Sequence, residues 1–134
     1  MCWIDNHNIF YFGDSMDGDK GYYKYNIINS QVIRIMPDNL NDGHPSISKE
    51  KQWIILDTYH DRQCNCHLYL YNLKTLQLIT VGKFRSNINL QGYNRCDLHP
   101  RWNNKGTQIM IDTSFNKKRF PLIINLKEII HEKK

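Results

Sequence analysis

Short apolar runs recur along the chain at 8–12, 22–27, 31–36, 53–56, 68–73, 77–81, 107–111 and 121–126. They are rich in Ile, Tyr and Phe, residues that suit a pleated, half-buried surface, and each is predicted to form a strand. No stretch sustains the 3.6-residue period of an amphipathic helix. Ile54-Ile55-Leu56 is apolar at successive positions. Side chains of a strand alternate between faces, so such a run calls for burial on both. A sheet sandwiched between two others meets that condition.

The pattern repeats. His44-Pro45-Ser46-Ile47-Ser48 returns as His99-Pro100-Arg101-Trp102-Asn103, and Trp53–Thr58 returns as Gln108–Thr113, both 55 positions later. Tyr71-Asn72-Leu73-Lys74 returns as Ile124-Asn125-Leu126-Lys127 after 53 positions, and Tyr25-Asn26-Ile27 matches it earlier in the chain. Repeats of about 40–50 residues are the mark of propellers and solenoids. Turn chemistry separates the runs: Asn103-Asn104-Lys105-Gly106 is a strong hairpin turn, because Gly and Asn tolerate positive φ, and Ser48-Lys49-Glu50-Lys51 fills the same slot without glycine.

Each unit therefore reads as four antiparallel strands. The central one has strands at 44–48, 53–58, 67–72 and 77–81. The last has 99–102, 107–113 and 120–125, with only a remnant of a fourth. The first has a degenerate opening strand near 2–4, then 8–12, 22–27 and 31–36. The expected fold is all-β, an incomplete β-propeller of two to three four-stranded antiparallel blades, approximately 1–40, 41–95 and 96–134. Closed propellers use about four to eight blades of roughly 40–45 residues, which this chain cannot supply alone. It is then a piece of a longer protein, one copy of an assembly, or an open stack whose apolar end faces are exposed.

Composition narrows the classes. The 134 residues contain 40% hydrophobic and 23% charged residues, enough apolar content for a core. The formal charge of +5 comes from basic residues spread along the chain, which suits a solvated surface or an anionic partner. They do not cluster and no nucleic-acid motif appears, so a nucleic-acid partner is not expected. There is no apolar run long enough to cross a membrane and no basic-then-apolar leader, so the expected setting is the cytoplasm, away from membranes. Cys64 and Cys66 lack zinc-site spacing and, with Cys2 and Cys96, read as structural thiols, with metal or redox use as the alternative. Asp14, Asp17 and Asp19 lack the spacing and closing Glu of a calcium loop. Neither a Gly-x-Ser-x-Gly elbow nor a reactive-cysteine context is visible.

At His44-Pro45-Ser46-Ile47-Ser48, the polar turn that follows and Trp53–Thr58, the chain resembles the TolB-like family of β-propeller repeats. Leu68–Leu73 is similar to that family's third strand. The His-Pro openings at His44 and His99, and the stretch Cys96–Trp102, resemble most the oligogalacturonate lyase branch. That resemblance implies β-elimination on short acidic pectin fragments with a manganese ion held by several His and a Gln. No confident counterpart of the Gln is present, although Gln63 and Gln91 lie nearby in sequence, and the first unit lacks a His-Pro opening.

Strand order gives the same residues an independent setting. The start of the first strand of a unit and the end of the second share one rim of the disc, where the long connections 59–66 and 83–98 also open, and long loops on a rigid scaffold commonly carry binding. His44 and His99 would then stand at equivalent points near the central channel, with His60 as a third ligand for a shared divalent cation. The alternative is that His-Pro is a repeat signature whose ring bonds neighbouring backbone. Arg95, Arg101 and Arg62 are candidate carboxylate forks or plain surface charges. Tyr59, Tyr93 and Trp102 are candidate sugar platforms, although Trp102 also fits the core. Asp57 and Asp112 end their strands as turn-capping carboxylates or, alternatively, general bases. The expected function is a propeller segment that binds an acidic oligosaccharide or a protein. The alternative is a lyase of the kind named above, or a non-functional remnant of one. The remaining blades, or a second copy, are the expected structural partners.

Overall fold

A computed structural model describes residues 1–86, 92, 95–115 and 118–131. Three antiparallel sheets follow one another along the chain. The first contains β1 (Cys2–Trp3), β2 (Asn8–Asp14), β3 (Lys20–Asn26) and β4 (Val32–Arg34). The second contains β5 (Pro45–Ile47), β6 (Trp53–Asp57), β7 (Asn65–Asn72) and β8 (Leu78–Arg85). The third contains β9 (Arg101–Trp102), β10 (Gln108–Phe115) and β11 (Lys118–Asn125). In every sheet the strands pair in sequence order, as in a meander. Among the described residues the third sheet has no fourth strand. A short helix, α1 (Lys127–His131), follows β11 instead, with the Lys127 N–H on Asn125 Oδ1 at 3.1 Å and Ile129 and Ile130 packed onto the core.

The sheets stack face to face, and β6 explains how. Trp53 and Ile55 point toward the third sheet and pack with Leu68, Leu70, Leu98, Ile109 and Ile111. Ile54 and Leu56 point the other way and pack with Phe10, Tyr22, Met36 and Tyr71 of the first interface. All five residues of β6 are buried. The successive apolar positions thus reflect a strand between two cores, as the alternation of strand side chains requires. Burying a large apolar side chain contributes about 1.5–3 kcal/mol each, and β6 directs such side chains into both interfaces.

Backbone bonds repeat with the sequence. Leu73 N–H donates to Gln52 O, Leu126 N–H to Thr107 O and Ile27 N–H to His7 O, at 2.9, 2.9 and 2.8 Å. The Asn preceding each of these three residues turns its side-chain oxygen onto the following backbone, as with Asn72 on Lys74 N–H at 2.8 Å. Such side-chain closure explains why Asn sits there in every unit.

The β7–β8 pairing carries an irregularity between Leu68 and Tyr69, beyond which β8 continues to Arg85. An extra residue taken up by one strand lets pairing resume past a bend. The fourth strand of this unit is therefore longer than its apolar run indicates, and the connection after it correspondingly shorter. Likewise β7 begins at Asn65, so the loop after β6 is shorter than expected. Cys64 lies in that turn with φ of 63°, while Cys66 is buried in β7. Burial pushes the Cys66 thiol up to about 11, as it does that of Cys2, which disfavours the thiolate of both near neutral pH.

Candidate functional site

The site is built where the second and third sheets meet on the long-loop rim. Asp57 closes β6 on the face that Trp53 and Ile55 share, and its side chain is fully buried. One carboxylate oxygen accepts the His44 N–H at 2.6 Å and the other the His99 N–H at 3.0 Å. His44 Nδ1 lies 3.1 and 3.2 Å from the same two oxygens. A single buried carboxylate thus ties the opening of one blade to the opening of the next. Two backbone donors, with the His44 ring beside them, satisfy a charge that would be costly to bury unpaired.

Backbone shape follows from this clamp. Gly43 passes so close that a Cβ would stand 1.8 Å from the Asp57 carbonyl oxygen, so only glycine fits. His99 adopts φ of 42°, a conformation rare for a side-chain-bearing residue. Tyr22 supports the loop before His44 from the first sheet, its hydroxyl donating to Asn41 O at 3.0 Å, and Tyr59 N–H donates to Asp42 O at 3.0 Å.

The two imidazoles meet with centroids 4.1 Å apart, and the Tyr59 ring stands edge-on to His44 at 5.4 Å. Arg95 grips Asp97 with Nε at 3.0 and 2.9 Å and a terminal nitrogen at 2.6 Å, and its guanidinium lies 4.7 Å from the Tyr59 ring centroid. The bonds to Asp97 hold the guanidinium above its ordinary range. Arg101 sits 3.5 Å from Asp112, whose carboxylate also lies 3.7 Å from His99 Nδ1.

His44, His99 and Asp97 each offer a ligand atom, all within 4.8 Å of one another. Of the expected trio, the structure brings His44 and His99 together with Asp97 beside them, whereas His60 is exposed on the loop after β6 and stands outside the group. Arg62 is exposed on the same loop and Gln63 beside it, both outside the cluster formed by the other arginines. Tyr93 and Gln91 lie outside the described residues. Trp102 is half-buried, its indole N–H on Ser46 O at 3.1 Å, so it serves as a strut between blades. Asp57 does accept backbone N–H groups, but from two blade openings instead of its own loop.

Asp97 went unnamed among the candidate residues, yet a signal for it exists. From Arg95 to Arg101 the polar residues Arg95, Asp97, His99 and Arg101 alternate with the apolar Cys96, Leu98 and Pro100, all three buried, and Asp97 is buried among them. That is the period of an extended segment with one face in the core.

Two imidazoles and a carboxylate form a donor set that suits manganese, iron or zinc.

No protein-family model and no curated protein matches the chain. Solved structures do. TolB from Acinetobacter baumannii superposes with a TM-score of 0.66 at 14% identity, over 91% of this chain and 29% of that one. The β-propeller domain of the Trilobed protease from Pyrococcus furiosus, described as having an open velcro topology, gives 0.53 at 11% identity, over 92% and 41%. The chain has the fold of β-propeller blades, similar to those of TolB. At these identities the likeness concerns fold, and the chain spans less than half the length of either neighbour.

Proposed function

We propose that this TolB-like segment is a binding module that takes an acidic oligosaccharide at the rim shared by its second and third blades. The observation that carries the reading is the convergence of His44, His99 and Asp97 beside Arg95. A divalent cation held by those three donors would draw in a uronate. Arg95 and Arg101, both half-exposed, would orient the uronate carboxylate through N–H groups not directed at Asp97 or Asp112. Tyr59 offers the sugar a flat face beside them. The remaining blades, or a second copy, would complete the rim by packing on the outer faces of the first and third sheets.

The test is titration of 15N-labelled chain with galacturonate oligomers, with and without Mn2+. Mn2+ is expected to broaden the resonances around His44, Asp97 and His99, with Arg95 and Tyr59 among them, through its unpaired electrons, and the oligomers to shift those of Arg95 and Tyr59 when diamagnetic Mg2+ takes its place. Uniform broadening, or shifts confined to other regions, would overturn the reading.

A second reading, β-elimination on the same ligand, is favoured by one feature: the His44 ring backed by a buried carboxylate beside an arginine. A base so placed suits removal of a proton next to a uronate carboxylate. Ultraviolet absorbance of an unsaturated uronate distinguishes the two. Binding alone predicts no rise, and a rise abolished by His44→Ala would favour the lyase.

A further inference from the structure

We propose that Asp57 is a positioning residue for His44, fixing its imidazole as the Nδ1–H tautomer. The inference concerns the ring whether or not the rim binds what is proposed above, and it rests on that reading only for the use made of the ring.

An ionised carboxylate only accepts hydrogen bonds. Both Asp57 oxygens already take backbone N–H groups, from His44 at 2.6 Å and His99 at 3.0 Å. His44 Nδ1, within 3.2 Å of both oxygens, is therefore the donor in its contact with them. A neutral ring protonated at Nδ1 carries its lone pair on Nε2, directed away from the buried carboxylate. The Tyr59 edge at 5.4 Å and the His99 ring at 4.1 Å flank the imidazole and restrict its rotation. The two backbone amides thus fix the carboxylate, and the carboxylate fixes the ring. A free, oriented Nε2 is what metal ligation or proton abstraction requires, and a carboxylate behind a ligating imidazole also raises its basicity.

The repeat supplies an internal comparison. Asp112 stands where Asp57 stands, and His99 where His44 stands, 55 positions on. There the Nδ1–carboxylate distance is 3.7 Å, beyond hydrogen-bonding range, and Asp112 faces Arg101 as well. The equivalent histidine therefore lacks this fixation, and the two rings are expected to differ.

Long-range 15N–1H correlation of the imidazoles in the full chain, at a pH where the rings are neutral, tests this. In the unaltered chain His44 is expected as Nδ1–H, with His99 a mixture or Nε2–H. In Asp57→Asn the lone acceptor oxygen goes to a backbone amide and the amide NH2 faces the ring, so His44 is expected to switch to Nε2–H. Mn2+ alone is expected to bind that variant 10- to 100-fold more weakly. Should Asp57→Asn fail to fold, the unaltered chain still decides, because Nε2–H at His44 there overturns the proposal. An unaltered chain that shows Nδ1–H at His44 but binds no Mn2+ would support the tautomer assignment while overturning the cation reading of the rim.

Discussion

Asp57 accepts the backbone N–H of His99 at 3.0 Å, joining two blades through residues 42 apart in sequence. The bond lies at the mouth of the interface formed by Trp53, Ile55, Ile109 and Ile111, so it closes an apolar seam with a polar clasp. Asp57→Ala leaves the His44 and His99 amides without their acceptor. An unsatisfied buried donor costs about 1–3 kcal/mol, so a loss of roughly 2–5 kcal/mol in urea denaturation is expected. A loss below about 0.5 kcal/mol would mean that water replaces the clasp without cost.

Gly43 reports on the same clasp by sterics. Gly43→Ala places a methyl group against the Asp57 carbonyl, which belongs to a central strand and cannot yield. The variant is expected to lose about 1–3 kcal/mol and to displace the His44 ring, seen as shifted His44 and Tyr59 resonances. Gly18→Ala, which strains a turn at φ of 86° but meets nothing within 4 Å, is the control: it costs stability locally and should leave those resonances in place.

How much of this was legible in the sequence is best seen at the paired turns. Lys51 N–H donates to Ser48 O at 2.9 Å and Gly106 N–H to Asn103 O at 3.0 Å, with φ of 55° and 64°. The 55-residue offset equates these positions, and the missing glycine in the first was visible at once. The offset also paired His44 with His99 and Asp57 with Asp112. What it did not carry was direction. A repeat tells which residues are equivalent within their blades, but Asp57 bonds a residue of the next blade, and that contact depends on how two sheets stack. His60 failed to join the site for a related reason. Strand β7 begins earlier than its apolar run, which draws the loop short and turns His60 outward.

The same turns give a stabilising change. Lys51 holds a left-handed conformation that costs a side-chain-bearing residue about 1–2 kcal/mol, and glycine adopts it freely. Part of that gain is lost to the greater freedom of glycine in the unfolded chain. Lys51→Gly is expected to raise stability by up to about 1 kcal/mol in thermal unfolding, and Gly106→Ala to lower it by a similar amount. Equal effects of the same sign would show that the turns are not equivalent.

The loop after β6 carries its own pH dependence. Asp61 accepts the N–H groups of Gln63 at 2.8 Å and Asn65 at 3.0 Å and meets His67 Nε2 at 3.0 Å, and these bonds hold its carboxyl well below the usual range. A carboxyl depressed in the folded state binds its proton more readily when unfolded. Its contribution to stability is therefore full above the unfolded value of about 3.9 and is lost as pH falls through the folded one. The stability difference between the unaltered chain and Asp61→Asn should shrink as pH falls below about 4, a range in which the His67 ring stays in one charge state. A difference that instead grew over that range would reverse the assignment.

The outer faces set the last expectation. Trp3 is 55% exposed and Ile123 57%, on the first and third sheets respectively. Trp3 pairs with Ile9, next to a sheet face that also carries the stacked rings of Tyr11 and Tyr23. A blade face of this kind is covered in the two interior interfaces, where Phe10 and Ile109 are almost wholly buried. Left open, it favours association with any complementary sheet, because apolar area leaves water on contact. The isolated chain is expected to self-associate with rising concentration in light scattering, and Trp3→Lys with Ile123→Lys to shift it toward the monomer. If the double variant associates as strongly as the unaltered chain, the end faces are not the surfaces involved.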